Sequence, residues 1–196
     1  ILPDSTVRQL EDSLAKFSRT TSNQISILTV LDLEGLTPNE FATKIGDTWG
    51  VGQKKLDNGV VILFKPKTKD SKGEVYIAPG RGLEGALPDV FCNRIVEDKM
   101  IPILKEGNNY TAATWAALKV IMPVCRGEYD YETYQNDEDL SLFDWICVIA
   151  ILLVFIGFRI FLPFGGGSFT SGSSGSSGGF DFGGGSFGGG GAGGSW

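Results

Sequence analysis

The sequence predicts an α/β fold: a three-layer α/β/α sandwich with a small mixed sheet, followed by one transmembrane helix and a low-complexity tail. Three observations carry that prediction. Within residues 1–126, periodic apolar runs alternate in the order helix, strand, helix, strand, strand, helix, helix. Residues 145–158 form an uninterrupted apolar stretch inside the segment 142–164. Of the 28 glycines, 16 fall in residues 165–196. The organisation that follows is an extracytoplasmic domain over 1–126, an acidic stalk over 127–141, a membrane-crossing helix over 142–164 and a Gly/Ser/aromatic-rich tail over 165–196. The first segment has a length that suits one core.

The elements of the domain follow in order. Val7, Leu10, Leu14 and Phe17 step by three, four and three, which predicts a helix over about 5–19 with one apolar face. "QISILTV" reads as a buried strand from about Gln24 to Leu31. Thr37, Pro38 and Glu40 then form a capping box ahead of Phe41, Ile45 and Trp49, so a second helix starts there. "GVVILF" (59–64) is a second central strand, and the helix between the two makes a right-handed crossover and parallel pairing. The polar turn "KPKTKDSKG" returns the chain into "EVYIA", antiparallel to that strand. Two helices close the domain, over about 88–106 with a bend at Pro102 and over about 111–124.

Beyond the domain, the stalk region 127–144 carries seven carboxylates and no Lys or Arg, so it repels itself and stays extended. Segment 142–164 has the ~20 residues needed to cross a hydrocarbon core if Arg159 snorkels outward; the competing reading is a buried core helix. Arg159 is the sole basic residue after Arg126, which leans toward a cytoplasmic tail and an extracytoplasmic domain on a single-pass cell-membrane protein. The chain opens on "ILPDST" without Met, which leads to the expectation of a removed signal peptide. The tail holds five aromatics, Phe169, Phe180, Phe182, Phe187 and Trp196, among glycines and serines. Isolated in water it is expected to be disordered, its aromatics serving either as stickers for a partner or for other copies, or as nothing more than part of a flexible end.

Composition excludes several functions. Up to residue 141 there are 16 Lys and Arg against 21 Asp and Glu, no footprint for nucleic acid. The chain has no histidine, which removes Ser-His-Asp and Cys-His nucleophile systems and every His-containing zinc site. Cys92, Cys125 and Cys147 lack zinc-site spacing. Cys92 and Cys125 fall on successive helices and are read either as a disulfide or as two buried thiols.

The stretch "GRGLEG" (80–85) spells G-x-G-x-x-G after a strand, yet it is not a dinucleotide loop. No strand follows within forty residues, the acids some twenty positions on, Asp98 and Glu106, lie in or at the end of a helix, and Glu84 would face the pyrophosphate. Gly80, Gly82 and Gly85 are read instead as allowing a tight strand-to-helix turn. Asp57 and Asn58 precede the second strand at Gly59, and with Glu84 and Asp89 they supply oxygen ligands at loop positions, a set suited to Ca2+ or Mg2+ if folding gathers it. Arg81 is read equally as a phosphate ligand or as half of a structural ion pair.

"WGVGQKKLDNGVVILF" (49–64) and "VYIAPGRGLEGALPD" (75–89) together resemble the two hallmark segments of the TPM-domain family, also called the TPM phosphatase family, over about residues 1–124. The membrane segment and the glycine-rich tail ending in Trp196 resemble its membrane-anchored bacterial members. The resemblance implies the sandwich predicted above, export and C-terminal tethering. It also implies the activities given to family members: metal-dependent acid phosphatase, divalent-cation binding, help in photosystem II repair and a receptor-accessory role. The matching motif residues are Asp57, Asn58, Gly59, Gly80, Arg81, Gly82, Glu84 and Asp89, with departures at Pro79 and Pro88.

Two functions follow. The first is a non-enzymatic accessory or assembly module for a membrane protein complex, with partner binding or self-association through the anchor and tail. The second is a metal-dependent phosphatase with Asp57, Glu84 and Asp89 on the ion and Arg81 on phosphate. The lack of a nucleophile with its base favours the first, and the catalytic residues stay unassigned.

Overall fold

The computed structural model describes residues 1–127 and 182–196. Helix α1 (Asp4–Thr21) buries Leu10, Leu14 and Phe17 and ends at Ser22, whose left-handed backbone returns its N–H to the Ser18 carbonyl. Strand β1 (Gln24–Thr29) follows. Helix α2 (Pro38–Trp49) opens with the predicted capping box: the Glu40 N–H donates to the Thr37 hydroxyl, and the Glu40 carboxylate accepts from the Thr37 N–H at 2.8 Å. The bonds that the Thr37 N–H and then the Thr37 hydroxyl donate to it hold the Glu40 carboxyl below its ordinary range.

Strands β2 (Gly59–Lys65) and β3 (Glu74–Pro79) complete the predicted trio. β1 and β2 are parallel, with Gln24 opposite Gly59; β2 and β3 are antiparallel, with Ile62 opposite Ile77. Because side chains alternate along a strand, Val61, Leu63, Tyr76 and Ala78 share one face with Phe41 and Ala42 of α2. The opposite-parity residues Val60, Ile62, Phe64, Val75 and Ile77 are no more than 1% exposed, so both faces of the sheet are covered. Each such side chain contributes about 1.5–3 kcal/mol by leaving water.

The helical run predicted over 88–106 divides into α3 (Asp89–Arg94), a wider π-helical stretch (Ile95–Met100) and α4 (Ile101–Gly107). Pro102 lacks an N–H and crowds the carbonyl one turn back, so the departure from α-geometry falls in the turn before it rather than as a bend at the proline itself. Helix α5 (Tyr110–Cys125) ends the domain.

Two open points are decided. Of the two readings of Cys92 and Cys125, the structure has the free thiols. Cys92 is fully buried with Sγ against the Leu87 carbonyl, and burial pushes both thiols up to about 12, which keeps them protonated and unreactive. The end of the tail, expected to be disordered when isolated in water, is ordered against the domain: Ala192–Ser195 form β4, antiparallel to β3, giving the sheet order β1-β2-β3-β4. Residues 182–196 belong to the same compact unit as the domain. Among the described residues no helix is long and apolar enough to cross a membrane. The predicted stalk beyond residue 127, the segment 142–164, Cys147 and the tail up to residue 181 lie outside the described residues.

Candidate functional site: a groove filled by the C-terminal tail

The two hallmark segments meet through their backbones. The Gly80 N–H donates to the Gly59 carbonyl at 2.7 Å, and the Gly82 N–H to the Asp57 carbonyl at 3.1 Å. A Cβ at Gly80 would overlap the Asp57 carbonyl oxygen and one at Gly82 the Leu56 carbonyl oxygen, so any larger residue separates the segments. Gly85 faces open space and carries no such constraint. After Gly80 the chain makes a single 3-10 turn, Arg81–Leu83, and enters α3 six residues later. Residues 80–88 thus turn the chain from β3 into α3.

The candidate ligands divide. Asn58 is 5% exposed and turned inward: its Oδ1 accepts from the Gln53 N–H at 2.9 Å, and its amide donates to Asn23 Oδ1 and Ser22 Oγ. It fastens the 53–58 loop to the start of β1, and its side chain is not available as a ligand. Asp57 is held in the left-handed region at φ 46° and is half-buried. Asp57, Glu84 and Asp89 all lie against the tail, and two of them bond to it. Asp57 Oδ1 accepts the Ser186 N–H at 2.9 Å, and Asp89 Oδ1 the Gly191 N–H at 2.7 Å. Glu84 Oε1 lies over Gly188 and Gly190. Arg81 pairs with no carboxylate among the described residues; its backbone N–H donates to the Ser186 carbonyl at 3.3 Å.

This donor set does not fit a Ca2+ or Mg2+ ion in the tail-bound form. Such ions take six or more oxygens, whereas no three acidic or thiol groups gather at metal-holding separation among the described residues. Two of the three carboxylates also spend an oxygen on tail amides.

Several residues of the groove were not singled out by sequence. Asp47 Oδ1 accepts the Phe187 N–H at 2.7 Å, Gln24 Oε1 the Gly183 N–H at 3.2 Å, and Asn39 donates to the Gly189 carbonyl at 3.0 Å. Phe187, 3% exposed, lies against Gly46 of α2, where a Cβ would strike its ring. At the far end the N–H and carbonyl of Trp196 pair with Gly73, and its indole donates to Asn108 Oδ1 at 2.8 Å. Phe182 stacks on Trp49 with ring centres 6.3 Å apart. One signal was legible: a glycine inside an otherwise apolar-periodic helix, at Gly46, marks a close approach by something else. Tyr76, beneath β4, has its phenol pushed up to about 12, first by burial and then by the charge of Asp89.

The fold and its hallmark segments have relatives. The solution NMR structure of the N-terminal domain of a protein from P. gingivalis is similar, with a TM-score of 0.55 and 25% sequence identity over 65% of this chain and 78% of that one. No curated protein matches the chain. The model of the TPM domain matches residues 1–124, which take in both hallmark segments and every element from α1 into α5. The chain therefore belongs to the TPM domain family.

Proposed function

We propose that this protein is a non-enzymatic accessory or assembly module: a TPM domain held at a membrane by segment 142–164 on the extracytoplasmic side, where it binds a membrane-protein partner. The observation that supports this reading best is the use made of the hallmark carboxylates. Asp57 and Asp89 each accept a backbone N–H of an extended segment. That is the chemistry of peptide recognition, in which main-chain hydrogen bonds supply affinity and side-chain pockets supply specificity. A phosphatase would need an ion or a nucleophile with its base, and the chain has no histidine and no gathered metal ligands among the described residues.

The pairing of Ala192–Ser195 with β3 supports a different topology from the single-pass one expected from sequence. A single crossing by segment 142–164 would separate tail from domain, so the proposal has that segment enter the membrane without a net crossing and sets both domain and tail on the extracytoplasmic side.

Isolation of the protein from its native membrane after mild cross-linking tests the reading. A membrane protein recovered reproducibly with it supports the role; repeated recovery of this chain alone counts against it. Phosphomonoester turnover by the purified chain that disappears in Asp57→Ala would replace it with the enzymatic reading.

A further inference from the structure

We propose that the groove bounded by α2, the loop 81–89 and the outer edge of β3 is a peptide-binding site, and that residues 182–196 of this chain are its resident ligand. The ligand class is an extended, glycine-rich strand with one buried Phe and a C-terminal Trp. This inference rests on the docking geometry alone and stands whether or not the accessory role holds.

Three features make the groove selective. Its floor admits only glycine at several points: a Cβ at Gly185 would overlap the Val51 carbonyl, one at Gly191 the Ile77 carbonyl, and one at Gly193 would lie 2.5 Å from the Tyr76 ring. Gly191 also has φ +120°, a backbone that other residues rarely adopt. The aromatics are indexed, Phe187 over Gly46 and Trp196 over Gly73, where added methyl groups would strike both rings. The terminal indole meets Tyr110 edge to face and donates to Asn108. The backbone is read by Asp47, Asp57 and Asp89, each taking one N–H. A segment of the same composition in another order loses this register.

The tail behaves as a ligand and not as a part of the fold for two reasons. Most of the core comes from elsewhere: β1, β2, β3 and the five helices come from residues 4–125, the TPM match itself ends at residue 124, and Phe187 and Trp196 are the buried hydrophobics that residues 182–196 add. The similar P. gingivalis structure is likewise of an N-terminal domain. The tail is also joined to the domain only through residues 128–181, so it is held by effective concentration as a tethered ligand is.

The test uses a fluorescent synthetic peptide with the sequence of residues 182–196. It is titrated against the full-length wild-type chain and against full-length Gly191→Val and Trp196→Ala variants, whose own tails are weakened. The expected result is saturable binding to both variants, weaker to wild type by about tenfold or more because the tethered tail competes. Peptides carrying Phe187→Ala, or the same residues scrambled, should not bind. Equal binding of the scrambled peptide overturns the proposal, as does no binding to variants whose circular dichroism remains native. Unfolding of both variants overturns it too, since the tail would then be a component of the fold.

Discussion

Replacing Phe187 with Ala probes the tail's attachment at its largest side chain. The ring is 3% exposed and packs among Phe41, Ala42, Val61 and Ala78, against the bare backbone of Gly46. Truncating a buried Phe costs about 3–5 kcal/mol. Here the loss falls on the free energy that holds the tail, because Gly183–Gly185 and Gly188–Gly191 bring no side chain to bury. At about 1.4 kcal/mol per factor of ten, the docked population should fall at least about 100-fold relative to the detached one. Amide hydrogen exchange resolves this: the N–H groups of Phe187, Gly191 and Trp196 should lose protection by about two orders of magnitude, while those of β1, β2 and α5 keep theirs. Equal loss across tail and core would refute the reasoning, because it would make the tail inseparable from the global fold. Unchanged tail protection would refute it as well.

Other consequences are as specific. Gly82→Ala should destabilise the domain by about 3 kcal/mol in chemical denaturation, since its methyl would overlap the Leu56 carbonyl and backbone cannot yield easily. Asn58→Ala should cost about 3 kcal/mol in the same measurement, because the Gln53 N–H and Asn23 Oδ1 lose their partner. Cys92 is raised to about 12 by burial, then by Asp89 and Cys125, from an ordinary value of 9.0. A folded value above the unfolded one gives stability that is complete below about pH 9 and lost as pH rises from there through 12. Denaturation at pH 8 and pH 10.5 should therefore show a larger loss for wild type than for Cys92→Ala, and equal losses would contradict the burial argument.

Much of the domain was legible because its signals are local. Thr37, Pro38 and Glu40 declare the start of α2 through a box complete within four residues, and the continuous apolar run of β2 announces a strand buried on both faces. The turn nature of residues 80–85 was legible for the same reason. What escaped has tertiary causes. "AGGS" has no strand propensity, and β4 exists because the β3 edge, three carboxylates and two aromatic seats receive it. Asp47 looks like an ordinary exposed helical acid until Phe187 arrives beside it. Asn58, chosen as a ligand for its loop position, turned inward because Asn23 and Ser22, some 35 residues away, offered partners no local pattern shows. The choice between the two readings of Cys92 and Cys125 likewise depended on how the core closed, not on helix order.

The account depends most on β4 lying beside β3 in the stated register. Interstrand NOEs in the full-length chain, in detergent micelles, measure it directly. The account predicts contacts between the backbones of Val75 and Gly194 and of Tyr76 and Gly193, with the Trp196 indole proton near Asn108. A spectrum that shows the β2 to β3 contacts but none from β3 to residues 192–196 would contradict it.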